Sequence, residues 1–267
     1  MTKRIGNLAG KTVLITGASS GLGEQIAYEA SKAGARVVLC ARRIDKLIEI
    51  AGICEEYSQL EAYFFTLDIS DFDDVESKFK ALKAENFDID VLVNCAGFGL
   101  FEPFLETKFS DTKQMFLVNV LGLMYITQKI GIQMAERGCG HIINVASQAG
   151  KMATPKSSIY AATKFAVIGF SNSLRLEMKP LGISVTTVNP GPIKTPFFDL
   201  ADPSGTYLKS IDKLALDPQK LAKKIVKAMG TNKREINSPY LMEIGSKSYQ
   251  LFPHIGDFLA GTIFNKK

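Results

Sequence analysis

At 267 residues the chain has room for one α/β domain, and its 46% hydrophobic against 22% charged residues supply a single large core rather than a disordered chain. The net charge of +5 is spread over scattered lysines and arginines. The densest groups, Lys223-Lys224-Lys227 and Lys233-Arg234, do not alternate with aromatics, which argues against a nucleic-acid partner.

Cys40, Cys54, Cys95 and Cys139 have no Cys-x-x-Cys spacing, so neither a metal site nor a disulfide framework is indicated. They read as free thiols of a reducing compartment. The basic start of the chain is followed by an apolar run of only strand length, and no stretch is read as long enough to cross a membrane. The expected setting is cytoplasmic, and the expected organisation is a single domain over residues 1–267.

Thr12–Thr16 is a short β-rich apolar run, the pattern of a strand covered on both faces. The turn Gly17-Ala18-Ser19-Ser20-Gly21-Leu22-Gly23 follows, then a helical stretch to residue 32, then a second buried-type strand at Arg36–Ala41. Strand, glycine turn, helix and strand make one βαβ unit. The spacing is Gly-x-x-x-Gly-x-Gly, neither the commoner dinucleotide fingerprint nor a phosphate loop ending in Lys-Ser/Thr. Glycines there let a pyrophosphate approach the backbone at the helix N-terminus, so the turn reads as a dinucleotide site.

NAD enzymes commonly place an acid at the end of the second strand, to hold the ribose hydroxyls. This chain has Ala41-Arg42-Arg43 there, and a guanidinium can grip a 2′-phosphate. NADP is therefore expected in preference to NAD. The alternative is that both arginines merely open the next helix, residues 43–57.

A third strand is expected at 62–67, and Ser70 or Asp71 could cap the helix over 72–86. Val91–Asn94 is a fourth strand, leading into Cys95-Ala96-Gly97, where small residues leave space for a flat ligand. The segment 114–137 is apolar around more than one stripe, so its helix should bury two faces. Asn119 within it reads locally as a satisfied core amide.

Residues 141–145 form a fifth expected strand, and Ser147 leaves its carboxyl end, in the crevice where such sheets bind ligands. Ser147 lacks a nucleophile-elbow frame, and neither His141 nor His254 is placed to serve it as a base. Ser158–Met178 is apolar-periodic and stops at Pro180 and Gly182, so Tyr160 and Lys164 share a helix face. An adjacent ammonium lowers a phenol's pKa and suits it to acid–base work on a carbonyl or hydroxyl. The outer faces of 114–137 and 159–178 suggest a homodimer or homotetramer.

Residues 184–189 are a sixth strand, followed by Pro190-Gly191-Pro192-Ile193-Lys194-Thr195. Residues 197–216 read as a flap over the crevice, Asp217-Pro218 as a helix start, and 240–244 as a seventh strand. The apolar extension, about 245–267, is expected to pack on the domain, with lining the substrate site and touching a membrane as alternatives.

With these pieces in order, the chain resembles the short-chain dehydrogenase/reductase family over about residues 11–195. The features that carry the likeness are Gly17-x-x-x-Gly21-x-Gly23, Asn94-Cys95-Ala96-Gly97, Asn119, Ser147, Tyr160-x-x-x-Lys164 and Pro190-Gly191. The resemblance implies a doubly wound Rossmann fold, a seven-stranded, mostly parallel sheet with helices on both faces. It implies a hydride passed between NADP(H) and a small-molecule carbonyl or alcohol substrate.

It also implies roles. Tyr160 exchanges the proton, Ser147 holds the substrate oxygen, and Lys164 binds the nicotinamide ribose. Asn119 keeps a water in a relay behind the lysine, which displaces the core-amide reading. Asp68 and Ile69 meet the adenine, Asn94 and Gly97 the ribose side, and Ile193 and Thr195 the nicotinamide amide. Ser19, Ser20, Leu22, Ala96, Pro190 and Gly191 complete the cofactor set. Cys95 stands where the family often has a second asparagine. Two other readings remain open, an NAD-dependent alcohol dehydrogenase and a non-catalytic NADP-binding regulator.

Overall fold

In the computed structural model, which describes residues 5–85, 87–205 and 215–262, the fully buried run Thr12–Thr16 forms β1 at the heart of a parallel sheet. The other strands are β2 (Arg36–Ala41), β3 (Tyr63–Thr66), β4 (Val91–Asn94), β5 (Gly140–Val145), β6 (Ile183–Pro190) and β7 (Glu235–Ser238). Their order is β3-β2-β1-β4-β5-β6-β7, with every neighbouring pair parallel. The order reverses between β1 and β4, and a crevice opens beyond the strand ends at such a reversal.

Strand side chains alternate between faces, so β1 sends Val13 and Ile15 to one core and Leu14 to the other. The first core is closed by α1 (Gly21–Lys32), α2 (Ile44–Ser58) and α8 (Pro218–Ala228), through Ile26, Leu47 and Ile225. The second is closed by α3 (Phe72–Ala84), α5 (Leu123–Arg137) and α6 (Ser158–Met178), through Phe79, Ile130 and Leu174. Asp71 caps α3, accepting from the amides of Asp73 and Asp74.

The long helix begins earlier than its apolar pattern suggests. Helix α4 (Phe109–Phe116) passes through a π-helical stretch, Leu117–Gly122, into α5. Gly122 lets this stretch press on the loop after β3, since an added Cβ would lie 2.3 Å from the Ile69 carbonyl oxygen. Taken whole, Phe109–Arg137 is 29 residues with a window of mean hydropathy 1.5, long and apolar enough to cross a membrane by length and composition. That corrects the expectation that no stretch reaches such a length. Half of that window is buried within this fold.

The seventh strand is Glu235–Ser238, not 240–244. Ile236 and Ser238 alternate inward, Pro239 ends the run, and Tyr240–Leu251 coils into α9, whose buried residues Glu243 and Ser246 are three apart. The presumed flap opens with a short helix, α7 (Phe197–Ala201), and Leu216 bridges back to Ile193; residues 206–214 lie outside the described residues. The apolar extension does not pack inward as expected. Its first residues finish α9, and from Pro253 it forms α10 (Pro253–Gly261), where Ile255 and Phe258, with Phe252 just before it, remain exposed.

His141 is buried in β5, where its Nδ1 accepts from the Gly230 amide and its Nε2 meets Thr186 Oγ1. Burial pushes its pKa down to about 4. Its folded value lies below the unfolded one, so the neutral ring's contribution is complete above about pH 6.5 and lost as pH falls toward 4. That loss is about 3 kcal/mol. Chemical denaturation between pH 7 and 4.5 should show a slope that His141→Gln flattens; equal slopes would refute the assignment.

Candidate active site

The crevice beyond the strand ends encloses about 710 Å³. The glycine turn forms its floor because it can adopt what other residues cannot. Gly17 has φ +68°, and a Cβ there would lie 2.7 Å from the Ala96 backbone. A Cβ on Gly23 would meet the Gly17 carbonyl at 2.3 Å, so α1 can start this close to the sheet only with glycine. Thr16 Oγ1 accepts from the amides of Cys95 and Ala96, tying the β4 end to the turn, a role its place in an apolar run did not signal.

Arg43 is already engaged with this turn. Its Nη2 donates to Ser20 Oγ at 2.7 Å, to Ser19 Oγ at 3.0 Å and to the Ser19 carbonyl at 3.1 Å. A guanidinium fixed beside two hydroxyls is a ready anion cradle, and Arg42 lines the same crevice. Asp68 faces them. Partial burial raises its pKa, but hydrogen bonds from Ser70 and the Arg42 charge hold the carboxyl below its ordinary range.

On the opposite wall stand Ser147, Tyr160 and Lys164. Ser147 leaves β5 just before a 3-10 turn, Gln148–Gly150, and its Oγ accepts from the Ala149 amide at 3.0 Å. Tyr160 and Lys164, one turn apart on α6, are 8% and 5% exposed. The Lys164 Nζ lies 5.7 Å from the Tyr160 ring centre and donates to the Val145 carbonyl at 3.0 Å. Burial pushes the ammonium's pKa down to about 8, so it is still mostly charged at neutral pH.

Gly17, Ser19, Ser20, Gly21, Leu22, Gly23, Ala96, Gly97, Ile69, Pro190, Gly191, Ile193 and Thr195 also line the crevice. Two expected residues do not. Asn94 is buried under the strand ends, where its Nδ2 donates to Thr127 Oγ1 at 2.8 Å and Asn144 Oδ1 at 2.9 Å. It ties β4 to β5 and α5 rather than facing a ribose.

Asn119 sits in the π-helical stretch, a feature frequent at functional sites. Its side chain clamps Phe98, accepting from the amide at 3.0 Å and donating to the carbonyl at 2.8 Å, and it also donates to Thr163 Oγ1. Lys164 Nζ and Asn119 Oδ1 lie 3.6 and 3.0 Å from the point where a Cβ on Gly97 would sit, so both flank the same glycine of the crevice. Cys95 lines the crevice as a neutral thiol, its pKa pushed up to about 12 by burial, against the opposing pull of the Lys164 charge.

Sequence reasoning missed the rest of the wall. Phe101 packs on Tyr160, Phe197 and Phe198, and Phe98, Met152 and Met242 complete an apolar side. These aromatics come from a loop and from α7, where no periodicity marks which side chains turn inward. The Phe101 amide donates to the Ala201 carbonyl at 2.8 Å, which joins the two segments.

A family model described as short chain dehydrogenase matches residues 11–203. The 3-ketodihydrosphingosine reductase of Bos taurus is 33% identical over 251 residues, which span 91% of this chain and 74% of that protein. The NADP-dependent 3-hydroxy acid dehydrogenase of Schizosaccharomyces pombe is 36% identical over 192 residues, 71% of this chain and 74% of that protein. Among solved structures, the closed form of a serine dehydrogenase complexed with NADP+ is similar with a TM-score of 0.76 and 30% identity. That likeness covers 84% of this chain and 94% of the other.

Proposed function

The chain belongs to the short-chain dehydrogenase family, and from that membership we propose that it moves a hydride between NADP(H) and a carbonyl or secondary-alcohol substrate. Ser147, Tyr160 and Lys164 line the same crevice as the Arg43–Ser19–Ser20 cradle, and this observation carries the reading. The cradle fits a 2′-phosphate, and the glycine turn leaves no room for side chains where a pyrophosphate would lie. Bound there, the reduced cofactor supplies the hydride. The protein holds the other reactant in line and handles the proton.

Tyr160 gives its proton to the substrate oxygen during reduction and takes it back during oxidation. Ser147 Oγ donates its hydrogen to that oxygen while still accepting from the Ala149 amide, since a hydroxyl donates and accepts at once. Lys164 favours the phenolate that is left behind. Asn119 holds the Phe98 segment at the crevice edge, and the relay role that the family resemblance implies for it would use a water between it and Lys164.

The substrate side is walled by Phe98, Phe101, Met152, Phe197 and Met242, which suits a carbonyl on an apolar molecule, and we infer a long-chain one. The 3-ketodihydrosphingosine reductase relative, named for such a ketone, supports that class. The test is NADPH and NADH oxidation against ketones from short to long chain. We expect efficiency to rise with chain length and NADPH to be preferred. A preference for NADH, or for short polar ketones, would refute the reading.

Leu121, Ile132, Phe165 and Leu176 on α5, α6 and the π-helical stretch are exposed, and a second copy of the chain would cover them. Sedimentation should give a dimer or tetramer mass. A monomer at micromolar concentration would refute the assembly.

A further inference from the structure

Lys151 follows the Ser147 turn and does not line the crevice, yet it is the hub of a nearly buried ionic cluster. Its Nζ donates to Glu235 Oε2 at 2.7 Å, Glu243 Oε2 at 2.8 Å and Asn237 Oδ1 at 3.1 Å. Its side chain is 11% exposed, and that of Glu243 7%. The remaining cations at these carboxylates are peripheral: Lys247 is 3.6 Å from Glu243, Arg234 is 3.5 Å from Glu235, and both are exposed.

The cluster joins the serine turn, β7 and α9, and Asn189 Nδ2 ties it to β6 by donating to Asn237 Oδ1 at 2.7 Å. Helix α9 has little apolar surface with which to dock, because its buried residues are Glu243 and Ser246. By contrast, α8 buries Leu221, Ala222, Ile225 and Ala228. Next to Glu243 is Met242, a wall of the crevice, whose sulfur lies 2.6 Å from where a Cβ on Gly191 would stand. The serine turn has one anchor of its own on β6, through Gln148, and an internal bond that closes it. Gln148 Nε2 donates to the Asn189 carbonyl at 3.0 Å, and the Gly150 amide donates to the Ser147 carbonyl at 3.0 Å.

We propose that Lys151 is a positioning residue for substrate. It holds α9, and with it the Met242 wall, against the sheet edge, while Ser147 keeps its place without it. Removing the ammonium leaves two carboxylates facing each other, with only the exposed Arg234 at 3.5 Å and Lys247 at 3.6 Å to offset them, and α9 shifts away to reach water. The substrate wall loosens, and the proton machinery does not. This proposal rests on the oxidoreductase reading above.

The test compares wild type, Lys151→Met and Lys151→Met/Glu243→Gln by NADPH-dependent reduction of a long-chain ketone, NADPH binding and amide hydrogen exchange. In Lys151→Met we expect KM to rise about tenfold or more, with kcat and NADPH affinity within about threefold. Exchange should accelerate over Tyr240–Leu251 and stay unchanged over the Ser147 turn. The added Glu243→Gln, which removes one of the repelling charges, should recover part of the KM.

A fall in kcat at constant KM, or no change in either, would overturn the proposal. If wild type reduces no ketone, the functional reading fails, and exchange alone decides: selective acceleration in α9 sustains the Lys151 role and uniform behaviour ends it. If Lys151→Met does not fold, Lys151→Arg takes its place, with the expectation that it keeps both KM and exchange near wild type. A Lys151→Arg protein with wild-type exchange but strongly reduced kcat would contradict a positioning role.

Discussion

Tyr160→Phe should bind NADPH within about threefold of wild type and lose about 10²–10⁴-fold in kcat, the range that general acid–base catalysis contributes. The loss equals about 3–5 kcal/mol of barrier. The variant is a clean probe because the ring is retained. Tyr160 packs 5.9 Å from Phe101 and 5.7 Å from Phe197, centre to centre, and a Cβ on Gly99 would already touch it at 2.7 Å. Phenylalanine keeps those ring contacts, so the apolar wall stays where it is while the hydroxyl that carries the proton is removed. Single-turnover kinetics with NADPH preloaded would measure the effect, and turnover near wild type would remove Tyr160 from the chemistry.

Lys164→Met should act on both activity and stability, in opposite directions. Turnover is expected to fall by about 10²-fold or more, and the rising limb of alcohol oxidation should move to higher pH, because no cation then favours the phenolate. Stability should increase. The lysine's pKa in the folded chain, about 8, lies below its ordinary 10.5 because burial disfavours the ammonium. Its charge therefore weakens the folded state fully below about pH 8, and this weakening fades as pH rises toward 10.5.

Methionine, similar in length and uncharged, removes that penalty and forfeits one bond to the Val145 carbonyl. The net gain at pH 7 is about 1–2 kcal/mol. Denaturant unfolding at pH 7 and pH 10 would check it, the gap between variant and wild type narrowing at the higher pH. A destabilised variant at pH 7 would show that the bond, not the charge, dominates.

The sheet was legible because parallel strands covered on both faces are continuous apolar runs, as in Val13-Leu14-Ile15 and Val91-Leu92-Val93. Much of the crevice was legible too, since backbone geometry allows little besides glycine at Gly17 and Gly23, and i,i+4 spacing sets Tyr160 beside Lys164. The resemblance to a family supplied the site reading of Asn119, which local pattern reads as a core amide, and the role of Ser147, which strand order already sets in the crevice.

What remained hidden depends on long-range contacts. The apolar character of Tyr240 and Leu241 suggested a strand, yet both are exposed on a helix held down by Glu243. Nothing in the local sequence pairs Glu243 with Lys151, 92 positions away. The Asn94 amide likewise serves Thr127 and Asn144, partners that only the folded sheet brings within reach. Phe101 and Phe197 come from segments without a period, and their inward turn is set by the Phe101–Ala201 backbone bond.

The most direct test follows the hydride itself. With NADPH deuterated at the transferring position of its nicotinamide and a long-chain ketone, mass spectrometry of the product alcohol should find one deuterium on the carbinol carbon for each cofactor consumed. Alcohol carrying only solvent hydrogen there, or cofactor oxidised with no alcohol formed, would contradict the account.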